Sequence, residues 1–151
     1  MGLTYLNLNG STISNINLSY NTELTELRLN SYQGTSIDLS NNPKIYYLEL
    51  MNSKLTSLDL TNNSKIGTMN ISGISDLTDI DLSNLAELQL LEIRNCTSLN
   101  SLDVSYNTKL YYLWAYNLNT NCIQVSQTQL DNLGNLEFKK SVGANFNTVC
   151  P

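Results

Sequence analysis

A chain of 151 residues, 41 % of them hydrophobic and 14 % charged, is long enough for one domain built on a shared core, and no linker, low-complexity tract or charge run divides it. Its net charge of −5, from 8 Lys and Arg against 13 Asp and Glu, argues against nucleic acid as a partner, because phosphate binding needs a clustered basic surface. No apolar run approaches the roughly 18 residues of a membrane span, and the absence of histidine removes the commonest general base, Ser–His and Cys–His nucleophile pairs and most zinc sites.

Taken in order, the first residues of successive short apolar cores are Leu6, Ile16, Leu27, Ile37, Leu48, Leu58, Met69, Ile80, Leu91, Leu102, Leu113 and Ile123, ten or eleven apart throughout. Within each unit the aliphatic positions fall at i, i+3 and i+5, as in Leu99, Leu102, Val104 and again in Leu110, Leu113, Ala115. That spacing fits neither a helix nor a lone strand. It predicts a chain that turns into a short strand, buries alternate residues and turns out again. Half-coils of the type Ile37-Asp-Leu-Ser and Leu58-Asp-Leu-Thr alternate with more varied ones, so the full period is 21 or 22 residues. Self-similarity at this period predicts a solenoid, in which stacked coils share one continuous core.

The pattern Leu-x-x-Leu-x-Leu-x-x-Asn at this period resembles the leucine-rich repeat proteins, and the resemblance covers residues 3 to about 125. The Leu-Asp-Val-Ser-x-Asn-Thr-x-Leu coils and the Cys-Ile-x-Val ending at Cys122 to Val125 resemble the secreted or surface repeat proteins of Bacteroidetes-type bacteria and, more loosely, internalins. The implied fold is an α/β-type repeat solenoid, mostly β: a right-handed leucine-rich repeat of about six coils with a C-terminal cap. The expected division is a repeat array over 1–121 and a capping segment over 122–151, forming one cooperative unit. Gly34 in place of a leading leucine, Leu85 in place of an asparagine and Ala115 in place of a leucine mark coils expected to be locally irregular. The start at Met1-Gly2, inside a repeat, leads to the expectation of further coils upstream in a longer, exported protein.

Beyond the repeat, Ser126 is placed to N-cap a helix from Gln127 to Leu133 stopped by Gly134, followed by extended pieces over Leu136–Phe138 and Ala144–Val149. Leu130, Leu133, Phe138 and Phe146 are the expected buried side of this segment, and Lys139-Lys140 a solvated turn. Cys122 and Cys150 bracket it, with 27 residues between them. An oxidised pair would close a loop worth about 3 to 4 kcal/mol in the chain-entropy model. The resemblance implies the same bond, because related tails also end in a cysteine, and an extracellular or cell-surface setting follows if the bond forms. Cys96 reads as a small buried hydrophobe rather than a reactive thiol.

The two kinds of half-coil present different outward columns. On one side Asn17, Asp38, Asp59, Asp81 and Asp103 recur with Ser or Thr two residues on, small groups suited to bonding the main chain of a tight turn. A calcium ladder is the alternative for this aspartate column, but each coil offers one carboxylate where such sites gather several oxygens. On the other side the columns vary: Tyr5, Glu26, Tyr47, Thr68, Leu90, Tyr112; Asn7, Arg28, Glu49, Asn70, Glu92, Trp114; and Asn9, Asn30, Met51, Ser72, Arg94, Tyr116. No packing rule asks for this mixture, and exposed Tyr, Trp, Met and Arg are typical of recognition surfaces.

Tyr47, Glu49, Met51, Glu92, Arg94, Tyr112, Trp114 and Tyr116 are therefore the expected binding face, with Trp114 either its anchor or covered by the cap. Glu49 and Glu92 lie about two coils apart, roughly 10 Å at the strand spacing, too wide and too open for a catalytic carboxylate pair; Arg94 reads as the ion-pair partner of Glu92. The expected function is not enzymatic and needs no cofactor or metal: it is extracellular recognition of a protein or a glycan. The alternative is a structural spacer of a bacterial surface protein with no ligand of its own.

Overall fold

The computed structural model describes residues 2–151, and Met1, the first residue of the Met1-Gly2 start, lies outside the described residues. Alternation of buried and outward residues gives one short strand per coil: β1 (Tyr5–Asn7), β2 (Glu26–Arg28), β3 (Tyr47–Glu49), β4 (Thr68–Asn70), β5 (Leu90–Arg94) and β7 (Tyr112–Tyr116). Opposite them lie β6 (Leu102–Asp103) and β8 (Cys122–Gln124), and the chain ends with a helix α1 (Gln127–Asp131), β9 (Glu137–Lys140) and β10 (Asn145–Asn147). A seven-stranded parallel sheet runs β1-β2-β3-β4-β5-β7-β9, and a three-stranded parallel sheet runs β10-β8-β6. The result is a mostly-β leucine-rich repeat solenoid of about six coils.

The core is the set of inward columns. Leu27, Leu48, Met69, Leu91 and Leu113 sit in register on adjacent strands and are each 0 % exposed. Leu18, Leu39, Leu60, Leu82, Val104 and Val125 close the opposite side and are likewise buried. No coil could bury these residues alone, so stability comes from the interface between each coil and the next.

Buried asparagines join the coils by adding a second hydrogen bond to main-chain carbonyls that already accept a turn N–H. Asn42 Nδ2 donates to the carbonyls of Leu18 and Asn21 at 3.1 and 2.9 Å, and Asn63 repeats this on Leu39 and Asn42 at 3.2 and 3.0 Å. Asn107 does so on Leu82 and Leu85 at 2.9 and 3.0 Å. Leu85 breaks the series without breaking the coil: it is 0 % exposed, and its turn keeps the Leu85 N–H to Leu82 and Leu88 N–H to Leu85 bonds, both 3.0 Å. The irregularity expected at Gly34 and Ala115 is absent too. Tyr32, 2 % exposed, fills the space over Gly34, where an added Cβ would come within 2.5 Å of the tyrosine ring and the Ser14 carbonyl. Ala115 stays in register with Ile93 inside β7.

A second column lies just past each strand. Ser31, Asn52, Asn95 and Asn117 have φ between 54° and 67°, and Gly10 and Gly73 have φ of 79° and 77°. One left-handed residue per coil thus turns the chain away from the sheet, a conformation cheap for Gly and tolerated by Asn.

The terminal segment differs in detail from expectation. Ser126 and Gln129 form a reciprocal capping box, at 3.2 and 2.8 Å, that starts α1. The helix ends at Asp131, and Gly134 sits within a following 3-10 turn over Leu133–Asn135 instead of stopping the helix. Leu130, Phe138 and Phe146 pack partly buried against the core, whereas Leu133 does not join them; Gln129 and Ala144 are the buried residues of this segment. Cys122 and Cys150 are joined by a disulfide with their Cα atoms 5.7 Å apart.

Candidate binding face

The strand registers align the outward residues into the three columns read from the sequence. Tyr5, Glu26, Tyr47, Thr68, Leu90 and Tyr112 stand side by side on the large sheet, and Asn7, Arg28, Glu49, Asn70, Glu92 and Trp114 form the next column. Because alternate strand residues point to opposite faces, all of them share the face away from the core. The face divides into two unlike halves.

At the β1–β3 end the side chains are engaged with one another. Glu49 is only 8 % exposed. Its carboxylate accepts from Tyr47 Oη at 2.8 Å, from Asn9 Nδ2 at 3.1 Å and from Asn30 Nδ2, and Arg28 Nη1 lies 3.5 Å away. Burial works to raise its pKa, but the hydrogen bonds from Tyr47, Asn30 and Asn9 and the Arg28 charge outweigh this and hold it below the ordinary value. Burial first, and then the bond to Glu49, push Tyr47 up to about 12. The Arg28 guanidinium lies 4.4 Å from the centroid of the Tyr47 ring. Glu49, expected on the outward face, fastens three coils together there.

The third column also has a structural task that composition concealed. Asn9 Oδ1 accepts the Asn30 N–H at 3.0 Å, Asn30 Oδ1 accepts the Met51 N–H at 2.8 Å, and Ser72 Oγ accepts the Arg94 N–H at 3.2 Å. Each side chain thereby pairs a main-chain donor of the next coil. The expectation that no packing rule governs this column is corrected: Asn9, Asn30 and Ser72 are scaffold, and Met51 is a half-buried residue beside them.

At the β5–β9 end the arrangement is aromatic and cationic. Tyr112 and Trp114 stack with ring centroids 5.3 Å apart and planes inclined by 25°. Arg94 lies 5.4 Å from the Trp114 centroid and donates to Glu92 at 2.8 Å; Asn70 Nδ2 reaches the same carboxylate oxygen at 3.2 Å. Tyr116, 36 % exposed, lies beyond Trp114 on the same strand. The Lys139-Lys140 pair, expected as a solvated turn, is part of β9: Lys139 is in register with Trp114, and its ammonium is 4.9 Å from the ring centroid. Arg94, Trp114, Tyr116 and Lys139 line one pocket of about 370 Å³.

Lys139 escaped the sequence reading because α1 interrupts the spacing. Ile123 to Phe138 is fifteen residues where every earlier interval is ten or eleven. The signal was present in Glu137-Phe138-Lys139, an outward–inward–outward alternation like that of Tyr112-Leu113-Trp114, with which it pairs.

On the opposite half, Asp38, Asp59, Asp81 and Asp103 each accept the main-chain N–H two residues on, at 2.9, 2.9, 2.8 and 2.8 Å. The hydroxyl and then the main-chain N–H of Ser40, Thr61 and Ser83 hold Asp38, Asp59 and Asp81 below the usual carboxylate range. Among the described residues no group of three or more His, Cys, Asp and Glu is placed to hold a metal ion.

No protein-family model matches the sequence, and no curated protein matches it either. Among solved structures the chain is similar to the functional domain of InlJ from Listeria monocytogenes, a domain that includes a cysteine ladder, at 21 % identity and a TM-score of 0.68. That likeness covers 97 % of this chain and 35 % of the other. It is also similar to the internalin InlF of the same organism, at 22 % identity and a TM-score of 0.51, over 97 % of this chain and 63 % of that one. The chain therefore spans about a third of the one and under two thirds of the other. With its strand registers, buried leucine columns and asparagine rungs, this chain has the leucine-rich-repeat solenoid fold found in the internalins.

Proposed function

We propose that this chain is an extracellular recognition module that binds a protein through the outward face of its seven-stranded sheet, with the contact concentrated at the β5–β9 end. The observation that carries the reading is the convergence of Tyr112, Trp114, Tyr116, Arg94 and Lys139 there, while the β1–β3 end spends its polar groups on itself. Aromatic rings give large contact area for little loss of conformational freedom, and Arg adds directional hydrogen bonds and stacking, which is why these residues dominate binding hot spots. The likeness to internalins supports a binding role for the fold, and the Cys122–Cys150 bond supports an exported protein. In this reading residues 122–151 close the array and complete its working end.

The test is an array of extracellular protein domains probed with the native chain and with Trp114→Ala, Arg94→Ala and Ser83→Ala, each checked for unchanged melting. Truncating Trp114 is expected to cost about 2 kcal/mol or more of partner affinity, and Ser83→Ala, on the opposite half, to cost nothing. Equal affinity in all three variants would move the site off this face. A broad screen without any partner would favour a structural spacer.

A further inference from the structure

We infer that the pocket between Arg94 and Lys139 is a carboxylate site, taking an Asp or Glu side chain of the partner protein; this rests on the strand face being the working surface. The pocket's four lining residues, Arg94, Trp114, Tyr116 and Lys139, include two cations and no carboxylate. Its volume of about 370 Å³ admits a side chain and part of the segment that carries it.

The Lys139 side chain brings a donor that the pocket leaves unused. The Lys139 ammonium has no hydrogen-bond acceptor among the described residues, and Glu137, its nearest carboxylate, lies 3.7 Å away and is 65 % exposed, a pair too loose and too wet to hold it. Arg94 spends Nη2 on Glu92, while its Nε is buried without an acceptor. Two cations flank one indole ring, at 5.4 and 4.9 Å from its centroid. A carboxylate entering the pocket beside the ring takes a charge-assisted hydrogen bond from the Lys139 ammonium and gains the nearby positive charge of the Arg94 guanidinium.

Charge also favours a protein segment over an anionic polymer. The whole chain carries −5, so a polyanion meets repulsion along its length, whereas a single carboxylate on a near-neutral partner meets it only at the pocket, where Lys139 is held by no close ion pair. Tyr and Trp beside those cations fit the apolar surroundings of such a residue at a protein interface.

Trp114 is the sole tryptophan, so its indole N–H gives one resolved signal in a nitrogen–proton correlation spectrum. The probes are acetyl-Phe-Glu-amide, its isostere acetyl-Phe-Gln-amide, and a heparin-derived hexasaccharide. The Glu peptide is expected to move the indole signal saturably, with affinity at least about fivefold above that of the Gln peptide. Lys139→Gln, folded by the rest of its spectrum, should erase the difference. Equal affinity for the two peptides, or no movement with either, overturns the inference, as does tighter binding of the hexasaccharide than of the Glu peptide. If Trp114→Ala loses its array partner while the peptides bind alike, the face reading stands and the carboxylate site falls. Selective binding of the Glu peptide with partner affinity untouched by Trp114→Ala gives the reverse.

Discussion

Gln129 stands to Asn107 as Asn107 stands to Leu85: its Nε2 donates to the carbonyls of Asn107 and Val104, both at 3.1 Å, one coil further along the stack. A residue of helix α1 thus supplies the last rung of the asparagine series. The longer glutamine reaches from a helix where the earlier rungs reach from a turn. It is 5 % exposed, so these carbonyls have little access to water once the amide is removed. Gln129→Ala should therefore cost about 1 to 3 kcal/mol, the loss of the second hydrogen bond on each of two buried carbonyls that keep only the turn bonds from the Asn107 and Leu110 N–H groups. Urea unfolding followed by circular dichroism measures this. A loss below the uncertainty of the extrapolation would mean that the capping box alone fixes α1.

Ser31 is the odd member of the left-handed column, with φ of 67° where its counterparts are Gly10, Asn52, Gly73, Asn95 and Asn117. A serine pays a steric penalty there that asparagine partly escapes and glycine escapes entirely. Its N–H to the Met51 carbonyl, 2.8 Å, is a main-chain bond that substitution preserves. Ser31→Asn and Ser31→Gly should each raise stability, by about 0.5 to 1 kcal/mol. A lowered melting temperature in both would show that the serine hydroxyl contributes more than its backbone strain costs.

What was legible in the sequence is what repeats. The inward columns follow from the Leu-x-x-Leu-x-Leu spacing, and the same spacing sets the register, since Leu27, Leu48, Met69, Leu91 and Leu113 are 21 or 22 apart and paired in that order. The left-handed column left a trace, a Gly or Asn at the same phase in five of six coils, but the apolar spacing alone did not lead to it. The network at Glu49 was not, because its donors Asn9 and Asn30 lie 40 and 19 residues away and a variable column gives no sign that its members bond across coils. Lys139 was hidden by the change of period at α1, and Gln129 by a change of residue type in a role that asparagine fills elsewhere.

The Glu49 network carries a pH dependence whose sign follows from its shifts. Glu49 has its folded pKa lowered, so its contribution is complete above its unfolded value, 4.5, and is lost as pH falls through the lower folded value. Asp38, Asp59 and Asp81 act in the same direction. Tyr47 is raised from 10.0 to about 12, so its contribution is complete below 10.0 and disappears between the two values. Stability should therefore fall on both sides of a broad neutral plateau. Glu49→Gln should flatten the acid limb and lower the plateau itself, because the amide cannot accept from all the donors that surround the carboxylate. An acid limb identical in wild type and Glu49→Gln would assign the loss to the aspartate turns.

The Cys122–Cys150 disulfide closes the loop that carries Lys139, one wall of the pocket beside Trp114. Cys122 lies in β8 and Cys150 closes back on it after a separation of 28 residues, and within that loop β9 brings Lys139 to Trp114. β9 is an edge strand of the large sheet, anchored by the Glu137 N–H to the Tyr111 carbonyl at 2.8 Å and by the packing of Phe138 on Phe146, whose centroids are 5.8 Å apart. Opening the bond frees the chain beyond β10 and loosens Phe146, and with it the inner side of β9. Cys122→Ser with Cys150→Ser should cost about 3 to 4 kcal/mol by loop entropy. Amide exchange should quicken in β8, β9 and β10 before it changes in β2 to β4, because a stacked array unravels from an end that has lost an interface. Cys96, 0 % exposed with its thiol on the Ile71 carbonyl at 3.2 Å, provides the internal control. Denatured without reductant, the wild-type chain should take up one alkyl group, on Cys96, and with reductant it should take up three, matching its 3 cysteines. Three groups without reductant would show the pair to be reduced, and unchanged exchange in β9 after reduction would uncouple the bond from the pocket.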